Sequence, residues 1–302
     1  MTPTTPGLPA LLTALILPLV FALNAHAQQG KGDAKRGEYL SQAGGCLECH
    51  TEDAKGAVPF AGGHALKTPF GTFYGPNITP HNDAGIGKWT EADFINALRN
   101  GKRPDGANYF PAFPYPSFTA MTDADMRDLF AYLKSLPANA KPSKPHDVGF
   151  PYNVRLGVSF WKMLYFTPGE FKADPKATAQ VNRGAYLSTA LGHCGECHTA
   201  RTSMGGLRKD RHFAGATTPE GKTIPNITPA NLKKWRDKDL IDFLGSGITA
   251  DGDEPAKAMA DVIRNTTGKL TPEDLAAMIA YLRSIPAIES EKNEKNDKAV
   301  KK

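Results

Sequence analysis

Two copies of Cys-x-x-Cys-His constrain this chain more than any other feature. They are Cys46-Leu47-Glu48-Cys49-His50 and Cys194-Gly195-Glu196-Cys197-His198. The spacing is the c-type haem attachment signal. Two thiols add across the two vinyl groups of one porphyrin, and the adjoining histidine reaches the iron. Cys46, Cys49, Cys194 and Cys197 are therefore the expected attachment points of two haem c groups. His50 and His198 are the expected proximal ligands. The chain has 4 cysteines, so none remains for a disulfide. A zinc ribbon would place its second pair roughly 15–20 residues on, whereas these pairs lie in opposite halves. A thioredoxin-like dithiol needs a βαβ context, which neither site has.

With 302 residues the chain is long enough for two domains. Hydrophobic residues make up 40%, with Gly 29 and Pro 24. Loop-rich domains of about 100 residues would be marginal on protein core alone, and a covalent haem supplies the missing apolar mass. Residues 1–27 contain no Asp, Glu, Lys or Arg, and Leu8 to Leu23 is apolar. Ala25-His26-Ala27 follows, a small-x-small cleavage pattern. The segment reads as a cleavable signal peptide, giving a mature periplasmic chain from Gln28. As a span it is short of the expected ~20 residues and holds Pro9 and Pro18. The net charge of +5 would be offset by four haem propionates, so it gives no support to a nucleic-acid role. Residues 289–302 form a Lys/Glu/Asn tail without apolar period and read as disordered.

The two halves repeat at an offset of about 148 residues. Arg36-Gly37-Glu38-Tyr39-Leu40-Ser41 corresponds to Arg183-Gly184-Ala185-Tyr186-Leu187-Ser188. Pro76-Asn77-Ile78-Thr79-Pro80 corresponds to Pro225-Asn226-Ile227-Thr228-Pro229. Trp89 corresponds to Trp235, and Tyr132 to Pro137 corresponds to Tyr281 to Pro286. Both Asn-Ile-Thr triplets are formal glycosylation sequons, but their equivalent places in a repeat point to a haem-side loop.

Helical patterns dominate each half. Asp33 to Ala43 reads as a first helix. Thr90 with Asp93 and Thr122 with Asp125 read as capping boxes opening two more, ended by Gly101 and Pro137. The second half repeats this with Trp235 to Leu244, and with Thr271 and Asp274 opening a helix that runs to Pro286. The expected fold is all-α, with two tandem domains of the class I cytochrome c type. The expected boundaries are 28–137 and 181–288, with a linker and aromatic segment at 138–180. That segment contains Phe150, Trp161, Tyr165 and Phe166, too aromatic for a solvated tether. Packing between the domains is the first reading, and docking of a partner protein is the second.

The sixth iron ligand decides the chemistry. A Met thioether raises the potential and closes the iron to substrates. In the second half, Met204 lies too near His198 and Met278 sits inside the last helix. Met259, in the loop-rich stretch before that helix, is the expected ligand. In the first half Met126 falls inside a helix and Met121 precedes the cap Thr122, so Met121 is the choice. The two positions are not equivalent: Met259 aligns with Phe113, and Met121 with Leu270. His64 and His81 are the histidines to suspect if the first haem is otherwise ligated. A proximal histidine needs its second nitrogen hydrogen-bonded, and the carbonyls of Pro76 and Pro225 are candidates. Asn77, Thr79, Asn226, Thr228 and the indoles of Trp89 and Trp235 are candidates for the propionates.

The chain resembles the cytochrome c subunit family of bacterial membrane-bound alcohol dehydrogenases and gluconate 2-dehydrogenases. The matching pieces are both CxxCH sites, Gly75-Pro76-Asn77-Ile78-Thr79-Pro80, and Tyr109 to Tyr115. Phe150-Pro151-Tyr152-Asn153-Val154-Arg155, Leu191 to Thr199 and Val262 to Thr267 match as well, and the likeness covers about residues 33–286. The resemblance implies single-electron transfer from a periplasmic dehydrogenase subunit for alcohols, aldehydes or sugar acids. The acceptor would be a quinone, another cytochrome or a terminal oxidase. It also implies a distal Met either at Phe113's position or just before the last helix, where Met121 stands. The well-known members carry three haems and a C-terminal membrane attachment. This chain has two haem motifs and a polar tail, which leaves membrane association open. A dihaem peroxidase or thiosulfate-oxidising cytochrome is the alternative, and it would need one open iron.

Overall fold

A computed structural model describes residues 1–2, 32–218, 220–249, 252 and 255–291. The expected signal peptide, apart from its first two residues, and the tail beyond Glu291 lie outside them. From Gly32 onward the chain forms one compact unit.

Each half is built on a crossing of its first and last helices. In the first half, α1 (Ala34–Ala43) starts at Asp33, whose carboxylate accepts the N–H groups of Lys35 and Arg36. It then crosses α5 (Asp123–Ser135). Between them lie α2 (Cys46–Cys49), a hairpin of β1 (Ala65–Thr68) and β2 (Gly71–Tyr74), α3 (Glu91–Asn100) and the short α4 (Tyr115–Phe118). A connecting helix, α6 (Arg155–Tyr165), follows. In the second half, α7 (Ala179–Tyr186) crosses the last helix, α12 (Pro272–Ser284). Between those stand α8 (Gly195–His198), the hairpin β3 (Ala216–Thr217) and β4 (Thr223–Ile224), α9 (Pro229–Leu232), α10 (Asp237–Ser246) and α11 (Lys257–Asn265).

The repeated Arg-Gly-x-Tyr-Leu motif accounts for these crossings residue by residue. The glycines are the contact points. A Cβ at Gly37 would sit 1.9 Å from the Asp128 carbonyl oxygen, and one at Gly184 would sit 1.8 Å from that of Ala277. The leucines, Leu40 and Leu187, are buried. The arginines hold carboxylates of the last helices: Arg36 pairs with Asp125 and Asp128, and Arg183 pairs with Asp274 through both oxygens. Each tyrosine crosses into the other half. Tyr39 donates to Asp274 (2.6 Å) and accepts from the Thr271 N–H (3.2 Å). Tyr186 donates to Asp125 and accepts from the Thr122 N–H (3.1 Å).

This reciprocal clasp explains why only half of each expected capping box forms at α5 and α12. The hydroxyls of Thr122 and Thr271 accept from the N–H groups of Asp125 and Asp274. The carboxylates turn instead to the arginine and the partner tyrosine. The α3 box, with no such competitor, forms completely between Thr90 and Asp93, and Gly101 ends that helix with φ 56°.

The halves also share a core. Leu40, Phe118, Met121 and Met126 belong to the same buried cluster as Tyr186, Leu187, Leu191 and Met278. A second cluster, of Phe213, Leu232, Leu240, Ile279 and Leu282, fills the second half.

Three expectations need correction. The second-half helix expected from Trp235 begins at Asp237, with Arg236 as its cap, and Trp235 packs beside it. Met259 lies in the first turn of α11 and not in a loop, because nothing from Lys257 to Asn265 breaks a helix. Residues 289–291 are held in place: Arg211 donates to the Glu289 carbonyl and Arg208 pairs with Glu291.

Burial pushes the Asp274 carboxyl up, but Arg183 and Tyr39 outweigh it and hold it below the usual carboxylate range. A depressed native pKa contributes stability that is fully present above the unfolded value. It is lost as pH falls through the native value, here below about pH 4. Tyr39→Phe removes one stabilising donor. It should lower unfolding free energy by about 1–3 kcal/mol and move the acid-unfolding midpoint to higher pH, read by circular dichroism. An unchanged acid midpoint would contradict the clasp.

Candidate functional site

Each CxxCH occupies one short helical turn directly after the crossing helix. Gly45, at φ 61°, bends the chain from α1 into α2. In the second half α7 widens into a π-type turn at Leu187–Leu191, and His193, at φ 38°, makes the bend. None of the four cysteines forms a disulfide, so both pairs remain for haem attachment. Cys46 and Cys194 are half-buried, while Cys49 and Cys197 are exposed.

The Nδ1 atom of His50 lies 2.7 Å from the Pro76 carbonyl, and that of His198 lies 2.7 Å from the Pro225 carbonyl. A carbonyl only accepts, so Nδ1 carries the proton in both rings. Burial lowers both imidazole pKa values against the raising effect of the proline carbonyls, which keeps the rings neutral. The lone pair is left on Nε2, the atom free to bind a metal. A fixed neutral imidazole beside two free thiols is the donor set that a covalently attached haem requires, and both sites fit it.

The proline loops are delivered by matching backbone devices. A Cβ on Gly75 would lie 1.6 Å from the Cys49 carbonyl oxygen, so only glycine allows that approach. The Thr51 and Thr199 hydroxyls accept the N–H groups of Phe60 (3.1 Å) and Phe213 (3.0 Å). The Phe60 and Phe213 carbonyls then accept from Ile78 and Ile227.

Asn77 and Asn226, expected at the propionates, bond to the protein through their amides. Both N–H donors of Asn77 are engaged, by the carbonyls of Asn139 and Lys141, each at 2.8 Å. Its Oδ1 accepts from the N–H and hydroxyl of Thr79. Asn226 binds the Ile288 carbonyl and the Ser290 hydroxyl, and accepts from Thr228 in the same manner. These amides clamp the chain that leaves each repeat and have no donor left for a carboxylate. Trp89 and Trp235 are half-buried at the edges of the two cores. Neither indole N–H has a partner among the described residues.

Of the methionines, Met121 and Met126 are fully buried in the shared core and Met278 nearly so, while Met204 is exposed. Met259 is half-buried on α11. The Nδ1 atom of His81 accepts from the N–H groups of Asp83 and Ala84, which engages that nitrogen in a local turn. His64 is half-buried and close enough to His50 to lower its pKa.

The two attachment turns meet. The His193 ring packs edge-on against Phe118, ring centroids 5.4 Å apart. A Cβ on Gly192 would lie 3.9 Å from the Ala43 carbonyl oxygen. The first attachment turn packs against α11 of the second half, and Glu196 accepts from Ser117 of the first (3.2 Å) and from Arg201 (2.5 Å). The signal for Glu196 stood in the sequence, since both motifs read Cys-x-Glu-Cys-His, but its cross-repeat partner did not.

A model of the cytochrome c family matches residues 34–137 and again 181–286. The chain is 46% identical over 262 residues to a "Diheme cytochrome c-type" protein of Cereibacter sphaeroides, covering 85% of this chain and 88% of that one. It is 36% identical over 285 residues to the cytochrome c subunit of an alcohol dehydrogenase (quinone) of Gluconobacter oxydans, covering 89% of this chain and 58% of that one. It is 36% identical over 290 residues to the gluconate 2-dehydrogenase cytochrome c subunit of Pantoea cypripedii, covering 91% and 65%. The chain thus spans less than two thirds of the dehydrogenase subunits it matches.

Asn77→Ala should leave the Asn139 and Lys141 carbonyls without a partner, at about 1–3 kcal/mol per orphaned group. A thermal melt should show that loss, with haem content and visible spectrum retained. Lost haem at an unchanged melting temperature would restore Asn77 to the cofactor.

Proposed function

The chain belongs to the cytochrome c family, carries two covalently bound haems and transfers electrons; on that premise we propose that it is an exported relay between a dehydrogenase subunit and a respiratory acceptor. Two relatives are named as cytochrome subunits of alcohol and gluconate dehydrogenases, which supports a donor of that class. The acceptor is a quinone, another cytochrome or a terminal oxidase. Export fits both the expected signal peptide and the attachment of c-type haem outside the bacterial cytoplasm. No helix among the described residues is long and apolar enough to cross a membrane.

Cys46, Cys49, Cys194 and Cys197 hold the haems. His50 with Met121, and His198 with Met259, ligate the irons. When bound, the irons supply the one-electron couples. The residues of the chain set each imidazole's tautomer, bury the sites and hold them together. Met121 is fully buried next to Thr122, whose N–H is tied to Tyr186 of the other half. Met259 is carried by α11, which packs against the first attachment turn. Each proposed Met is thereby fixed by a cross-repeat contact.

The observation that carries the relay reading is that the second attachment turn packs on the first half, Gly192 beside the Ala43 carbonyl, His193 on Phe118 and Glu196 on Ser117. Residues that attach cofactors in separate electron carriers have no reason to touch.

Met ligation closes both irons to exogenous ligands. The oxidised holoprotein should be low-spin, show a weak far-red Met-to-iron charge-transfer band, and bind neither CO when reduced nor cyanide when oxidised. Met121→Ala should open the first haem alone and Met259→Ala the second alone. Ready CO binding by the native protein would overturn this ligation and favour an enzyme with one open haem.

A further inference from the structure

The connecting helix α6 seats Val158 in a buried cluster with Phe73 and Phe110, with Trp161 and Tyr165 half-buried. Three of its polar side chains bond to the body of the protein. Arg155 donates to the Asn108 carbonyl (2.6 Å) and lies over the Phe110 ring. The Ser159 hydroxyl accepts from the Asn108 amide (2.8 Å). Lys162 donates to the Asn100 carbonyl and the Asn108 side chain. These three are spaced i, i+4, i+7. A separate stripe of apolar side chains faces solvent. Leu156 is 78% exposed and Met163 72%, and Phe160 and Leu164 are exposed beside them. That second stripe runs i, i+4, i+7, i+8, one continuous helix face. Phe150, Tyr152 and Val154 extend it, all exposed.

A contiguous exposed apolar patch marks an interaction site. The orientation is not a local accident, because three separate hydrogen-bonding side chains anchor it. The helix also rests on the loop that follows the second attachment histidine. The Trp161 indole donates to the Met204 carbonyl (3.0 Å), the Thr202 hydroxyl donates to Tyr165 (3.2 Å), and Gly206 packs under the Tyr165 ring. Arg201 in the same loop holds Glu196 of the motif.

From this we infer that the outward face of α6, with Phe150, Tyr152 and Val154, is the docking surface for the electron-donating dehydrogenase subunit, which receives the helix in an uncharged apolar groove. The inference rests on the donor named under the proposed function. The chemistry of the face selects a protein over a lipid surface. Helices that lie on bilayers present Lys and Arg to anionic headgroups, whereas both cations of α6 are turned inward and engaged. Charge depletion with aromatic and Met enrichment is the composition of a protein interface core, and a single apolar helix stripe suits a groove. Its seat on the Thr199–Gly206 loop puts the donor beside the second haem site, so electrons enter there.

The test uses purified holoprotein and an extract of the native cells lacking their own copy of this cytochrome. Reduction is driven by a panel of alcohols, aldehydes and sugar acids and followed by haem absorbance across a concentration series. With any substrate that reduces the native protein, the double variant L156E/M163E should raise the KM for the cytochrome roughly tenfold or more. Its melting temperature, haem spectrum and reduction by dithionite should not change. Ile248→Glu, a similarly exposed apolar site in the second half, should leave the KM alone. Reduction of L156E/M163E with native KM would overturn the docking surface while leaving the donor class standing. No reduction of the native protein by any substrate would remove the donor class and the docking claim with it. Flotation with phosphatidylglycerol vesicles that the double variant abolishes would assign the face to a membrane instead. A native dimer that the double variant dissociates would assign it to a second copy.

Discussion

The reciprocal tyrosine–aspartate clasp is the interaction on which the rest of the molecule depends. Tyr39 closes on Asp274 and the start of α12, and Tyr186 closes on Asp125 and the start of α5. Each aspartate is also held by the arginine of its own half. One buried carboxylate therefore locks an intradomain crossing and fixes the other repeat. A buried charge costs heavily when unpaired, and here four side chains from two repeats satisfy two such charges. The geometry has no slack: sliding one repeat against the other would strand both aspartates at once.

That constraint reaches the redox sites through short paths. The clasp tyrosines sit on α1 and α7, the helices that end at the two CxxCH turns. Fixing those helices against each other brings Gly192 beside Ala43 and Glu196 to Ser117. It also secures the residue next to Met121 by holding Thr122. Stability and function thus use the same contacts. The two repeats share a continuous core and are one unit in which the spacing of the attachment turns is set by helix packing.

Much of this was legible in the sequence, and the limits have physical causes. The repeat, the attachment motifs, the Thr90 box and the Gly101 stop are local patterns, and local patterns translate directly into backbone. Asp125 and Asp274 were legible as capping residues but not as clasp residues, because a carboxylate three positions after a threonine looks the same whether it bonds backwards or across a domain boundary. Asn77 and Asn226 were placed at the cofactor because a conspicuous polar loop beside a proximal histidine suggests it. In the fold their donors are used up by the chain leaving each repeat, a contact between residues more than sixty apart. The α11 helix was missed since Gly252 and Pro255 just before it read as loop. The orientation of α6 was the least legible. Its amphipathic period is plain, but a period does not say which face turns inward. Only the hydrogen bonds with Asn100 and Asn108, and the seat of Val158 against Phe73 and Phe110, decide that this side turns inward.

The central claim is that two haems in one chain exchange electrons through a contact that the clasp enforces. Flash reduction of the oxidised holoprotein with less than one electron per molecule, followed by observation of how that electron redistributes between the haems, measures this directly. The account predicts a first-order redistribution whose rate does not change with protein concentration. A redistribution rate proportional to concentration would mean that the haems communicate only between molecules, and would contradict it.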